Sequence, residues 1–258
     1  MSSDNVIKGV IIAGGEGSRL SPFTNAIPKP MIPVEGIPLI KYAINGFRGS
    51  GIKDVYVLVR KESNLLKTYL SDEEFEDLNI MVRDMRYCCV THSLLSLQEE
   101  IQEPFSLSHA DIIVPSGFYN KIISTFRSDG TLCLAGVSDK YMIDTHPYSR
   151  MAPDGTVTNL AMKKPDLSTL ENEKWSVWTG IYVFDNHIFS DLESCVLSHS
   201  VPEQCFNQMV TAGRVKALKY NGMWFHLGYK NDLLQIINGV DVEVIMNSYL
   251  EESSISVK

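Results

Sequence analysis

The sequence VIKGVIIAGGEGSRLSPFTNAIPKPMIP, residues 6–33, decides the fold of this chain. Residues 10–12 form a β-branched apolar run, which is typical of a buried strand. The glycine-rich residues 13–18 follow at once, and three glycines in four positions let the backbone turn sharply and approach a ligand closely. Arg19 and Lys29 then add positive charge. A strand, a glycine loop and two cations together predict a cradle for phosphate groups.

The glycine loop does not fit two common phosphate-binding patterns. Leu20 stands where GxGxxG needs its last glycine, and no Gly-Lys-Ser/Thr follows the loop. Taken by itself, a GGxG cluster after a strand is equally consistent with a simple turn. The longer sequence around the loop therefore decides between a simple turn and a phosphate-binding loop.

That longer string resembles the signature of the sugar-1-phosphate nucleotidylyltransferases, with GGxGxRL at 14–20, Pro22, Thr24 and PKPM at 28–31. The resemblance runs from about residue 6 to about residue 240. It implies a GT-A-like nucleotide-diphospho-sugar transferase fold. It also implies a nucleotidyltransferase reaction, in which an NTP and a sugar 1-phosphate give an NDP-sugar and pyrophosphate. The acceptor phosphate would attack the α-phosphorus in line, so catalysis would consist mainly of positioning and charge neutralisation.

Composition limits the choice of partner. The 258 residues, 44% of them hydrophobic, suffice to bury a full core. The formal net charge of −8 argues against a nucleic acid or a membrane surface as partner. We find no signal-peptide core and no bilayer-spanning run, and we expect a cytoplasmic protein. Its cysteines lack CxxC and zinc-ligand spacing and are expected to be reduced; they are Cys88, Cys89, Cys133, Cys195 and Cys205.

Alternating β-branched runs and helical patterns predict an α/β fold: a Rossmann-like, mixed but mostly parallel sheet with helices on both faces. The predicted strands are 55–59, 80–82, 105–111, 131–137, 175–184 and 214–220, and the predicted helices are 38–47, 64–70, 94–101, 117–127, 203–212 and 233–249. Pro153-Asp154-Gly155 predicts a hairpin turn. We expect one domain, 1–245, with a nucleotide-binding half (1–137), a sugar or acceptor half (138–245) and a polar tail (246–258).

The resemblance implies a set of nucleotide-binding residues: Ala13, Gly14, Gly15, Glu16, Gly17, Ser18, Arg19, Lys29, Arg83 and His92. Arg19 would hold the leaving phosphates, Lys29 would neutralise the α-phosphate, and Asp111 would complete the catalytic set. Residues 88–92 read CCVTH where the family has a glycine-containing turn beside the base. A lone loop histidine such as His92 is more often only solvated, so both readings stay open for it.

The acceptor side keeps some family residues and loses others. The predicted substrate-binding residues are Tyr148, Lys163, Lys164, Thr179, Gly180 and Trp224. Tyr148-Ser149 stands for the family's Tyr-Gly, and Lys163 replaces the glutamate of Glu-Lys-Pro. Lysine accepts no hydrogen bonds from sugar hydroxyls.

The implied metal site also departs from the family pattern. Asp111, after Ala110 instead of glycine, matches the aspartate that would hold Mg²⁺ or Mn²⁺. His226 replaces the second metal aspartate in the string Trp-x-Asp-x-Gly-Thr. Mg²⁺ prefers oxygen ligands, whereas imidazole suits zinc and other transition metals.

Three functions therefore compete. The first is a nucleotidylyltransferase that uses an NTP and a sugar 1-phosphate as substrates. The second is a nucleotidylyltransferase for another phosphorylated acceptor, such as a phosphonate or phosphocholine. The third is a non-catalytic nucleotide-binding subunit that has lost the metal pair. Members of the family are often dimers or tetramers, so a homo-oligomer is left open.

Overall fold

The computed structural model describes residues 7–85, 90–126, 130–139, 146–165, 174–197 and 202–237. Its strands are β1 (Lys8–Ile12), β2 (Pro33–Val34), β3 (Ile37–Pro38), β4 (Asp54–Val59), β5 (Asn79–Asp84), β6 (Phe105–His109), β7 (Ile112–Ile113), β8 (Cys133–Ser138), β9 (Tyr148–Met151), β10 (Val157–Ala161), β11 (Ser176–Phe184), β12 (Val215–Lys219) and β13 (Phe225–His226). Its α-helices are α1 (Phe23–Ala26), α2 (Leu39–Gly49), α3 (Asn64–Leu70), α4 (Val90–Leu95), α5 (Ser116–Thr125), α6 (Ile188–Leu197), α7 (Pro202–Thr211) and α8 (Lys230–Ile237). Short 3-10 helices span Ser18–Leu20, Lys29–Met31 and Glu73–Phe75.

One nine-stranded sheet takes its strands from both predicted halves of the chain. β1 lies between β4 and β6 and is parallel to both, and β5 continues the parallel part beyond β4. β11 runs antiparallel to β6, β8 and β9, and β12 is parallel to β8. The predicted mixed, mostly parallel sheet is confirmed. The proposed boundary at residue 137 falls inside β8, and the division into halves stays a prediction.

Helices cover both faces of the sheet, because neighbouring residues along each strand point to opposite faces and both sets are apolar. On one face, Ile11 and Val57 belong to a core with α2, α3 and α5. On the other face, Val10 and Leu58 belong to a core with α4, α6 and α7. This burial on both faces explains the uninterrupted apolar run at residues 55–59.

The end of β6 lies beside the start of the glycine loop. Ile12 of β1 pairs with His109 of β6, and the amide of Ala110 donates to the carbonyl of Ile12 at 3.1 Å. The residues after β6 therefore meet the residues after β1 at the carboxyl edge of the sheet, where such folds bind their ligands.

Most predicted elements are found, but two differ. α4 begins at Val90 instead of residue 94, and turns replace its predicted second half. The strand predicted to end at Asp111 ends at His109, so Asp111 lies in the turn before β7. Leu97, Ile101 and Ile113 are buried all the same, and a short apolar run does not distinguish a buried turn from a buried helix or strand.

The C-terminal prediction is tested only in part. α8 ends at Ile237, and the rest of the predicted helix, the tail at 246–258 and Cys88-Cys89 lie outside the described residues. No helix among the described segments combines the length and apolar character needed to cross a bilayer.

The expectation of reduced thiols is wrong for one pair of cysteines. Cys195 of α6 and Cys205 of α7 form a disulfide with their Cα atoms 5.8 Å apart. Cys133 is a buried free thiol. The two bonded cysteines have no recognisable spacing, and only the packing of α6 beside α7 brings them together.

Candidate active site

The glycine loop folds back onto the segment that carries Lys29. Gly17 has φ of +67°, and a Cβ there would lie 2.7 Å from Thr24 Cγ2 and 3.1 Å from Lys29 Cβ. Thr24 Oγ1 holds this fold by donating to the carbonyl of Gly17 at 2.8 Å. A Cβ on Gly15 would meet no atom within 4 Å. The loop backbone is therefore packed on one side and open on the other.

Lys29 and Asp111, 82 positions apart in the chain, are in direct contact. Lys29 Nζ donates to Asp111 Oδ2 at 2.5 Å, and the two side chains are 12% and 24% exposed. Lys29 opens a 3-10 helix after the glycine loop, and Asp111 follows β6. The structure thus brings together the two residues that were predicted to act on one phosphate.

Three histidines surround Asp111. His226 Nε2 lies 3.4 Å from Asp111 Oδ2, and His109 Nδ1 lies 4.0 Å from Asp111 Oδ1. The ring centre of His146 is 4.3 Å from that of His226 and 6.1 Å from that of His109. His146 Nδ1 donates to the carbonyl of Trp178 at 2.7 Å, which fixes its ring.

The electrostatics of the cluster favour an ionised Asp111 beside neutral His109 and His146. Burial opposes ionisation of Asp111, but the hydrogen bond to His226 and the charges of His226 and Lys29 hold its pKa well below the ordinary value. Burial lowers the pKa of His109, and it lowers the pKa of His146 to about 3. At neutral pH both of these imidazoles are uncharged.

One cavity of about 290 Å³, which we call the phosphate cavity, joins these groups. It is lined by residues 15–19 of the glycine loop, by Lys29 and Asp111, by the three histidines, and by Pro147 and Gly228. The exposed Arg19 places its guanidinium carbon 5.3 Å from the ring centre of Tyr229. Amide donors, two cations and one carboxylate thus face a single space that suits a polyphosphate.

Four predicted nucleotide-binding residues do not line the phosphate cavity. The amide of the buried Ala13 donates to the carbonyl of Leu58 at 2.8 Å. A Cβ on Gly14 would overlap the sulfur of Met85. His92 is half-buried in α4.

Arg83 is the fourth predicted nucleotide-binding residue that does not line the phosphate cavity. Its Nε and Nη2 donate to the two carboxylate oxygens of Glu100 at 3.0 and 2.6 Å, and its guanidinium lies 5.6 Å from the ring centre of Tyr56. A nucleotide-binding role for Ala13, Gly14, Arg83 and His92 stays a prediction.

The predicted acceptor residues are scattered. Tyr148 is 0% exposed and Trp224 is 2% exposed, and both pack in the core. Lys163 and Lys164 are exposed in the turn after β10. Their roles in binding substrate also stay predictions.

Thr179 and Gly180 form an irregularity in β11, where its pairing with β8 shifts between Trp178 and Tyr182. Thr179 Oγ1 donates to the carbonyl of Gly136 at 3.0 Å. Gly180 has φ of +89°, and a Cβ there would lie 3.4 Å from the ring of His109. The small pair therefore makes room for His109 in the site wall.

A divalent cation fits this site through one carboxylate. Asp111 Oδ1 is buried and accepts no hydrogen bond from the described residues, and hard cations such as Mg²⁺ and Mn²⁺ favour carboxylate oxygen. His226 offers a nitrogen, which suits these cations less well. Across the described segments, no group of three or more His, Cys, Asp or Glu side chains is arranged to hold a metal. Phosphate and water oxygens would supply the remaining ligands.

Four members of the cavity were not among the predicted site residues: His109, His146, Pro147 and Gly228. The one signal for His109 is its place at a strand end, two positions before Asp111. His146 and Pro147 precede Tyr148, the residue that the family pattern singled out. Their importance emerges only when β6, β9 and β11 lie side by side.

Comparison with known proteins gives the family. A family model described as Nucleotidyl transferase matches residues 8–242. The chain belongs to the nucleotidyl transferase family. The site described above therefore lies on a nucleotidyl transferase scaffold, with its glycine loop and its Lys29–Asp111 pair inside the matched region.

Individual nucleotidyl transferases are distant in sequence. A mannose-1-phosphate guanyltransferase of Gibberella zeae is 26% identical over 238 residues, which cover 88% of this chain and 62% of the relative. A bifunctional protein GlmU of Methanococcus maripaludis is 23% identical, with coverage of 87% and 52%. The chain thus spans between half and two thirds of the length of these curated relatives.

The fold is shared with solved members. A crystal structure of UDP-glucose pyrophosphorylase complexed with UDP-glucose superposes with a TM-score of 0.76 at 18% identity, covering 91% of this chain and 98% of that one. The GT-A-like, Rossmann-type sheet predicted from the sequence is confirmed by this likeness.

Proposed function

We propose that this chain is a sugar-1-phosphate nucleotidylyltransferase, which joins an NTP and a sugar 1-phosphate to give an NDP-sugar and pyrophosphate. One observation carries the proposal: Lys29 Nζ and Asp111 Oδ2 lie 2.5 Å apart in the same cavity as the glycine loop and Arg19. That arrangement supports a role for this cation and this carboxylate at the innermost phosphate of a triphosphate bound by the loop.

The reaction needs positioning and charge neutralisation more than proton transfer. Backbone amides of the glycine loop would bind the outer phosphates, with the exposed charge of Arg19 at the rim. Lys29 would neutralise the charge that grows on the α-phosphate oxygens in the transition state. Because Lys29 is only 12% exposed, its charge is less screened by water than that of a surface lysine.

Asp111 would hold Mg²⁺ or Mn²⁺ through its free Oδ1, with His226 as a second, weaker candidate ligand. The cation, when bound, supplies positive charge to the phosphate oxygens. The neutral His109 and His146 line the same space, and the imidazole N–H of His109 could donate to a phosphate oxygen. His146 already donates its one N–H, at Nδ1, to the carbonyl of Trp178, so its Nε2 is an acceptor and would not bind a phosphate oxygen.

The test is a screen of the four common NTPs and dTTP against several sugar 1-phosphates, with pyrophosphate release as the readout. We expect release with at least one pair, dependent on both substrates and on added Mg²⁺ or Mn²⁺. Binding of NTP or NDP-sugar by calorimetry, without release under either metal, would instead favour the non-catalytic subunit. A cytoplasmic location and assembly into homo-oligomers stay predictions.

A further inference from the structure

A second cavity of about 260 Å³, which we call the apolar cavity, adjoins the phosphate cavity. His109 and Pro147 line both cavities and form their common wall. The rest of the apolar cavity is built mainly from side chains of β6, β11, α4, α6 and α7: Leu107, Trp178, Tyr182, Leu94, Leu192 and Phe206.

The lining of the apolar cavity offers very little hydrogen bonding. Apart from the shared His109, the described residues contribute the hydroxyls of Thr91 and Tyr182 and the indole of Trp178. Trp178 is 2% exposed, and its Nε1 is a buried donor with no hydrogen-bond partner among the described residues. A buried donor without a partner is uncommon in folded proteins, and a bound ligand is one way to satisfy it.

The position of the apolar cavity fits the acceptor better than the nucleotide. Val90 and Thr91, from the segment predicted to lie near the base, contribute to its lining, but among the described residues none of the lining comes from β1, β4, β5 or the glycine loop. Its sheet residues come from β6 and β11, on the opposite side of the common wall. A phosphate next to His109 would therefore have its organic group on the apolar side.

We propose that the apolar cavity holds the organic group of the phosphorylated acceptor, and that this group is neutral and poor in hydroxyls. The inference rests on the proposed sugar-1-phosphate nucleotidylyltransferase function and narrows its acceptor to sugars with few free hydroxyls. A fully hydroxylated hexose would bury several hydroxyls against Leu107, Leu192 and Phe206, and each hydroxyl left without a partner weakens binding by about tenfold or more. A primary ammonium group, which needs hydrogen-bond acceptors, is disfavoured because no described lining residue carries a carboxylate.

The volume agrees with a group of ring size. About 260 Å³ lies just below the range of about 300–1,000 Å³ that is typical of pockets for drug-sized ligands. The phosphate itself would remain in the phosphate cavity, so the apolar cavity needs to accommodate only the organic part.

The test compares two phosphate monoesters with rings of the same size, cyclohexyl phosphate and glucose 1-phosphate. Each is titrated into the protein by calorimetry, alone and with a saturating α,β-methylene NTP analogue. We expect a Kd for cyclohexyl phosphate at least about tenfold lower than for glucose 1-phosphate. Equal binding, or tighter binding of glucose 1-phosphate, overturns the inference.

Two variants locate the bound group. Met162→Gln makes one half-buried lining residue polar and should weaken cyclohexyl phosphate by at least about threefold. Met151→Gln is the matched control, because Met151 is also half-buried but does not line the apolar cavity. Leu192→Phe fills the cavity. It should weaken the binding of cyclohexyl phosphate by about tenfold and leave the Kd of the NTP analogue unchanged.

Failure of the inference and failure of the proposed function give different results. If Leu192→Phe weakens the NTP analogue instead of cyclohexyl phosphate, the cavity belongs to the nucleoside and the inference is overturned. If glucose 1-phosphate is preferred and yields pyrophosphate, the function stands and the inference falls. If cyclohexyl phosphate binds as expected but no acceptor yields pyrophosphate with any NTP, the proposed function falls and the cavity assignment stands.

Discussion

We expect the proposed chemistry to depend most on Lys29, because its ammonium lies against Asp111 inside the phosphate cavity. Lys29→Ala should lower the turnover number for pyrophosphate release by about 10²-fold or more, since it removes charge stabilisation of the transition state. Lys121→Ala is the control, because Lys121 is exposed on α5 and away from the site. A turnover number for Lys29→Ala equal to that of the parent protein contradicts the role of the charge.

His226 is the residue where the chain departs most from the family pattern. His226→Asp would place a second carboxylate beside Asp111, and we expect the Kd for Mg²⁺ to fall by roughly tenfold, because Mg²⁺ favours oxygen ligands. Calorimetric titration with Mg²⁺ measures this Kd and does not require turnover. His226→Asn removes the imidazole without adding charge and should show no such gain. Equal Mg²⁺ affinities of the two variants would refute the expectation.

A structural role and a nucleotide-binding role of Arg83 can be tested separately. Its paired contact with Glu100 predicts that Arg83→Ala lowers the free energy of unfolding by about 0.2–1 kcal/mol at pH 7, while the Kd for NTP is unchanged. Glu100→Gln should reproduce the loss. Denaturant unfolding and NTP titration measure the two effects, and a weaker NTP affinity in Arg83→Ala would support the nucleotide-binding role instead.

The same ion pair predicts a pH dependence. The hydrogen bond from Arg83 holds the pKa of Glu100 below its ordinary value. A carboxylate with a lowered pKa in the folded state contributes stability above its unfolded pKa and loses it as the pH falls through the folded pKa. The stability difference between the parent protein and Arg83→Ala should therefore be full at pH 6–7 and shrink below about pH 4.

β11 shows how one element positions the site. Gly180→Ala puts a Cβ at φ of +89° and 3.4 Å from the ring of His109. The backbone strain should lower the free energy of unfolding by about 1–2 kcal/mol. The close contact with the ring of His109 should displace this side chain and raise the KM for the acceptor. Gly213→Ala is a close control, because Gly213 has φ of +68° and no atom within 4 Å of an added Cβ. If both variants leave the KM unchanged, β11 does not position the wall of the site.

The element scale also shows which predictions succeeded. α3 spans Asn64–Leu70 as expected, and β4 and α2 differ from prediction by two residues at most, because their apolar periodicity is uninterrupted. α4 was placed four residues late, because residues 88–92 carry no clear periodicity. Local pattern thus located the elements that face one continuous core and failed where the chain turns at the carboxyl edge.

Charge is the property that acts on the whole molecule. With a net charge of −8, the long-range field repels an anionic nucleotide, while Arg19 and Lys29 attract it only at short range. We expect the association rate constant for NTP to rise by roughly twofold between about 0.01 and 0.15 M salt, because salt screens the repulsion. Stopped-flow fluorescence measures this association rate constant. A steep fall with salt would indicate a positive steering field that the composition does not provide.

The amino-acid sequence by itself determined the positions of most strands and helices, the mixed and mostly parallel sheet, and the glycine loop with Arg19 and Lys29, from which a phosphate cradle is predicted. These follow from periodicity and from glycines, which act over a few residues. Only the tertiary structure decided that three histidines gather around Asp111, that Arg83 pairs with Glu100, and that an apolar cavity lies beyond His109. These contacts join residues far apart in the chain, and their partners are chosen by sheet order and helix packing, which no local pattern encodes.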